Sequence, residues 1–276
     1  MYFSYIALLG YLLYVNISRG EFVGSFDYSN ELERKNNMKL NANDYAYYML
    51  FATMSLKMLT DVLGDKLRAI WKLFFYVLFM ALSFYVALLT ASRQVLTLQI
   101  PLFLFIIFYD FLWTKKSGNA IILFVIITAI IVALPIIVDL YSDSYLATRS
   151  QVTYQEDIRS QLLQRAVDQG FTEPIFGVGL GADTFFSHCT YTHLFARTGF
   201  PALVAFLIIT VSSVLSQLSR YVRTKNHSFF LYFVLLSFIA VGHFLYSYID
   251  EPFMMSIAFL IIGQSDRKYK LIRKHV

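Results

Sequence analysis

The sequence predicts an all-α fold: a polytopic transmembrane helix bundle of about 7–8 spans with one large extracytoplasmic loop. Three observations predict it. The chain is 58% hydrophobic and only 15% charged over 276 residues, and its mean hydropathy is +0.58. A soluble domain could not cover its surface with so few charges. Apolar runs of the length needed to cross about 30 Å of hydrocarbon recur from one end to the other. Lys and Arg are crowded into alternate connections between those runs, the signature of a membrane topology.

Taken in order, the runs fall at roughly 2–17, 45–60, 70–91, 95–113, 119–141, 199–218, 229–249 and 253–263. The first is short and lacks both a basic leader and a small-residue cleavage site, so it is expected to remain a span rather than a signal peptide. The second contains Lys57, which is expected to snorkel to one interface. The third, fifth and seventh are long and uninterrupted. The eighth is too short to cross upright and is expected to tilt, kink or re-enter.

Basic residues orient the bundle. The connections 61–72, 114–118 and 219–227 and the tail 264–276 hold 13 Lys and Arg in 39 positions, against 9 in 86 for 18–44, 92–94 and 142–197. The first set is therefore cytoplasmic, both termini lie inside, and the 142–197 loop lies outside. The net charge of +5 follows this distribution and is no nucleic-acid footprint. The single cysteine, Cys189, excludes an intrachain disulfide and a multi-cysteine zinc site.

That topology gathers polar chemistry on one face. Arg93 ends the third run against the positive-inside bias, and Arg149, Arg159, Arg165, His188, His193 and the Asp250-Glu251-Pro252 turn share its side. Guanidinium groups keep their charge and grip phosphate oxygens in a bidentate fork. A neutral imidazole can take a proton from an attacking hydroxyl. Taken singly, each arginine can equally anchor a helix among lipid headgroups. His193 lies five residues beyond His188, off its helix face, so the pair is not a metal site. His243, inside the seventh run, can serve as a hydrogen bonder in the bundle interior.

Within the loop, residues 154–169 read as an amphipathic helix. Ile158, Leu162 and Ala166, with Leu163 and Val167, form its apolar stripe, and Gly170 is the expected stop. Arg159 and Arg165 stand about 120° apart on that helix. Pro174 then opens a turn-rich run with Gly177, Gly179 and Gly181 in alternation. The spacing is not that of a dinucleotide fold. It serves either the approach of backbone N–H groups to an anion or a tight turn.

In order and spacing these elements resemble the bacterial O-antigen ligase and polymerase superfamily. The matching residues are Thr90-Ala91-Ser92-Arg93, Arg159, the run from Pro174 through Gly177, Gly179 and Gly181, then His188 and Gly199, with Asn41 and Asn43 before the second run. The resemblance implies a metal-independent membrane glycosyltransferase without cofactor. It would take a polyprenyl-diphosphate-linked glycan as donor at the outer face of the bacterial inner membrane, with a glycan, lipid or protein as acceptor. Other polysaccharide-assembly proteins are the partners it suggests. By position, Arg93, Arg159 and Arg165 would hold the donor diphosphate and His188 would be the general base. The chain departs from the family pattern at Cys189, where Asn is usual, and at Arg197, where an acidic residue is common. It also carries fewer spans toward its N-terminus than the family does. The competing reading is a non-catalytic membrane component of polysaccharide export or assembly. A transporter would need internal repeats, which the sequence lacks.

Overall fold

A computed structural model describes residues 42–64, 67–89, 93–113, 135, 138–139, 142, 158–179, 189–245 and 252–273. The predicted runs 2–17 and 119–141 lie outside the described residues, apart from a few helical positions in the latter. The described residues are helical, without a strand. The chain divides into two compact units, Met1–Gln151 and Val152–Val276.

In the first unit, α1 (Ala42–Leu63), α2 (Ala69–Leu89) and α3 (Arg93–Ile107) pack on one another, and α3 continues into a π-helical segment, Phe108–Trp113. Leu50, Met54, Met58, Phe79, Leu102 and Ile106 fill the space between them. Ile70, Trp71, Phe74 and Val77 on α2, and Ile100 and Leu104 on α3, turn outward and remain exposed.

The interior of this unit is polar as well as apolar. Lys57 does not snorkel: it is 1% exposed, and its Nζ lies 2.7 Å from Oδ1 of Asp110 in the π segment. Tyr76 donates its phenol hydrogen to Oδ2 of the same carboxylate at 2.6 Å, and Thr60 Oγ1 lies 2.5 Å from that phenol oxygen. The Lys57 ammonium also sits 5.0 Å from the Tyr109 ring centre. An ammonium this deep in an apolar bundle is tolerable only against an opposite charge. One turn away on α1, Gln99 donates to Thr53 at 2.7 Å and to Ser83 at 3.2 Å, tying all three helices together.

The second unit contains α4 (Ile158–Thr172), α5 (Thr190–Thr224), α6 (His227–Leu245) and α7 (Pro252–Arg273). Two of these, α5 and α6, are long and apolar enough to cross a membrane. Only 6% of the apolar window of α5 is buried, the reverse of what a soluble core helix shows. Ile208, Ile209, Val211, Leu215 and Val222 stand exposed along it.

α5 is not one rod. Gly199 has φ 78 and ψ −177, which breaks it into arms at residues 190–198 and 200–224. Tyr191 and Phe206 would be about 22 Å apart in a continuous helix, yet their ring centres are 5.8 Å apart. The first arm therefore folds back along the second. Where α5 ends, Lys225 adopts a left-handed conformation and its N–H caps Tyr221 O at 2.7 Å.

α7 is continuous for 22 residues and does not stop near 263 as its apolar run suggested. Buried Ser265 holds its middle to α5, donating to Gln217 and accepting from Arg220 at 2.8 Å. An Arg220–Asp266 ion pair at 2.5 Å adds to the join. The good helix formers of the basic tail carry the helix onward to Arg273.

Candidate functional site

α4 is described from Ile158, with the predicted residues 154–157 outside the described ones, and it does not end at Gly170. Helix continues to Thr172 because Gly170 is a contact point rather than a stop. It is buried, and a Cβ there would run into the Phe195 ring of α5. Phe171 meets the same ring edge-on at 5.3 Å. Ala166 is fully buried one turn earlier, and Leu162, Leu163 and Val167 are half-buried around it. The opposite face, with Gln161, Gln164, Arg165 and Asp168, is exposed. Arg159 is the second residue of α4.

The segment after α4 is stitched to the reversal in α5. Pro201 has no N–H to give to Arg197 O, and the break at Gly199 removes the amide that would have reached Ala196 O. Val178 N–H takes the Ala196 carbonyl at 2.9 Å and Gly179 N–H takes that of Arg197 at 3.0 Å. In return Phe200 N–H donates to Pro174 O at 2.7 Å, and Gly177 N–H closes the turn onto Glu173 O at 2.8 Å. The helix interruption thus finds its missing partners in residues 173–179.

Glycine is required at both sides of this crossing. Gly177 has φ +64 and Gly199 has φ +78, a region costly to other residues. A Cβ on Gly177 would overlap the Arg197 backbone, and one on Gly199 the Ile175 backbone. Gly179 also has positive φ, but open space surrounds it. Because the amides of 177, 178 and 179 all go to backbone carbonyls, these glycines shape a turn rather than an anion nest. Pro174 is exposed in the same turn.

The first arm of α5 carries a second polar group. His193 is buried, and its Nε2 lies 3.0 Å from Arg197 Nη1, the i,i+4 neighbour. A guanidinium only donates, so this ring nitrogen is the acceptor. Thr190 Oγ1 meets His243 Nδ1 of α6 at 3.0 Å, and Tyr191 donates to Ala240 O at 3.1 Å. Rings of Tyr191 and Phe206 flank His243 at 6.0 and 5.2 Å. His243 is thus the interior hydrogen bonder its position suggested.

The sequence-predicted residues fall into separate groups. Arg159, Arg165, Pro174, Gly177 and Gly179 belong to one body with the start of α5. Arg93 opens α3 in the first unit. His188 and Gly181 lie outside the described residues. His188 directly precedes Cys189, the extended N-cap residue of α5, whose carbonyl accepts the first helical N–H, from His193, at 2.9 Å.

Sequence reasoning missed two pairings. The His193–Arg197 spacing of four was a usable signal. So was Asp110, a carboxylate in one apolar run that matches the lysine in another. Compared with protein-family models, with curated proteins and with solved structures, the chain matches none.

Proposed function

We propose that this chain is a metal-independent membrane glycosyltransferase that polymerises or ligates polyprenyl-diphosphate-linked oligosaccharide at the outer face of the bacterial cell membrane. Both termini are cytoplasmic in this reading, and the product belongs to a surface polysaccharide. The observation that carries it is the docking of α4, which bears Arg159 and Arg165, onto the arm of α5 whose N-cap residue, Cys189, follows His188 in the sequence. Such chemistry requires arginines and a base on elements that are fixed to one another.

The reaction has two halves. An acceptor hydroxyl attacks the anomeric carbon of the donor, His188 takes the hydroxyl proton, and the bond from that carbon to the diphosphate oxygen breaks. The departing polyprenyl diphosphate gains negative charge, which Arg159 and Arg165 stabilise without a metal, and Arg93 is a separate candidate for the same role. Proton removal by a positioned base contributes about 10²–10⁴-fold.

The test is the surface-glycan ladder of a strain lacking the gene, complemented with wild type, His188→Ala or Arg93→Lys at matched membrane levels. Restoration of long chains by wild type alone, with single lipid-linked units left by His188→Ala, supports a polymerase. Long lipid-linked chains that never reach an acceptor indicate a ligase. Arg93→Lys is expected to fail as well, because an ammonium cannot reproduce the bidentate fork. Equal rescue by His188→Ala overturns the assignment.

A further inference from the structure

Four strongly exposed apolar side chains of the second unit are not spread along one helix. They gather at the reversal. Phe171, Ile175, Phe176 and Phe200 are each between 59% and 81% exposed. They come from three places in the sequence, the end of α4, the turn and the α5 break, which the hydrogen bonds above draw together. Phe200 N–H is bound to Pro174 O, and Gly199 presses on the backbone of Ile175 and Phe176. Three exposed phenylalanines and an isoleucine on one rigid turn are costly in water.

Helix length fixes their depth. The Arg220–Asp266 pair, unlike Lys57–Asp110, is open at the surface, and with exposed Arg223 it marks one end of the apolar stretch of α5, because charges not enclosed by protein are not left in hydrocarbon. Phe200 lies twenty residues away, about 30 Å along the helix, which is the thickness of the hydrocarbon layer. Any tilt draws Phe200 further inward. The turn is hydrogen-bonded to Phe200 and shares its level. Along the same arm of α5, Ile208, Leu215 and Val222 are exposed as well.

We infer that the turn at 173–179, with Phe171 and Phe200, is a bilayer anchor whose side chains sit among the acyl chains of the leaflet on that side. Under the proposed orientation this is the outer leaflet. Glu173, exposed in the same turn, marks the headgroup level. The anchor holds α4 at the membrane surface, where its exposed Gln161, Gln164 and Arg165 face water and headgroups. The inference rests on the membrane-spanning part of the proposed function and is independent of glycosyl transfer.

The full chain, in a Cys189→Ala background, is placed in bilayer nanodiscs of phosphatidylethanolamine and phosphatidylglycerol. A nitroxide is attached at Phe176→Cys, Ile208→Cys or Gln164→Cys, and collisions with oxygen and with a water-soluble nickel chelate are measured. At residue 176 the oxygen-to-nickel ratio is expected to match residue 208 and exceed residue 164. A ratio at 176 equal to that at 164, with 208 still in lipid, overturns the anchor alone. Low collision with both reagents at 176 also overturns it, because protein then covers the turn. Nickel access at 208 would instead sink the spanning reading. Quenching of Phe176→Trp by brominated lipid, in a chain with Trp71→Phe and Trp113→Phe, measures the same depth with Cys189 intact. Strong quenching is expected there, and its absence overturns the anchor.

Discussion

Lys57 is the residue in which burial and charge oppose each other most sharply. Its ammonium is held by Asp110 at 2.7 Å, and Tyr76 holds the other carboxylate oxygen. Removing one partner of a buried pair leaves an uncompensated charge, which costs about 3–5 kcal/mol. Lys57→Met and Asp110→Leu should each lower resistance to denaturing detergent by that order. The double change Lys57→Met with Asp110→Leu should recover most of the loss, because no charge is then left unpaired. A double-mutant cycle in mixed micelles reads the coupling directly, and simple additivity would refute the pairing. The glycines give a second ranking. Gly177→Ala and Gly199→Ala each add a backbone overlap to the left-handed penalty of about 1–2 kcal/mol. Gly179→Ala carries the penalty with space to spare. Thermal aggregation in detergent should therefore show Gly179→Ala as the mildest of the three.

At the scale of elements, the docking of α4 depends on one small residue. Gly170 lets the Phe195 ring lie against the α4 backbone, and overpacking a well-filled contact costs about 1–3 kcal/mol. Gly170→Leu should therefore loosen α4, and trypsin should cut faster at exposed Arg165. Adding Phe195→Ala should slow the cut again by making room. If cleavage is unchanged by Gly170→Leu, α4 is not held by this contact. How much of this was legible follows from the physics of each signal. The stripe Ile158, Leu162 and Ala166 revealed α4 because helical periodicity is local. Gly170 misled, because glycine ends a helix or admits a neighbour, and only the neighbour tells which. Gly199 and Pro201, separated by one residue, are local breaker signals. That the break is a reversal depended on Tyr191 meeting Phe206, a contact between residues fifteen apart that no local pattern encodes. Asp110 was overlooked for a related reason, since its partner lies 53 positions away.

At the scale of the whole molecule, the charge distribution and the anatomy of α5 make one argument from opposite directions. The basic connections predict that 219–227 faces the cytoplasm and 142–197 the outside. The second arm of α5 joins these two regions, with Arg220 and Arg223 near its last turns and Phe200 at its start. An orientation set by lysine and arginine must therefore place α4 on the outer side, since α4 is bound to the start of that arm. In intact cells of the Cys189→Ala background, a membrane-impermeant maleimide should label Gln164→Cys and spare His227→Cys until the membrane is opened. Both positions are exposed, so failure to react cannot be blamed on burial. The reverse pattern would move α4 and its arginines to the cytoplasmic face. There the polyprenyl-linked donor would have to be met before export, and the proposed outer-face transfer would fall with the topology.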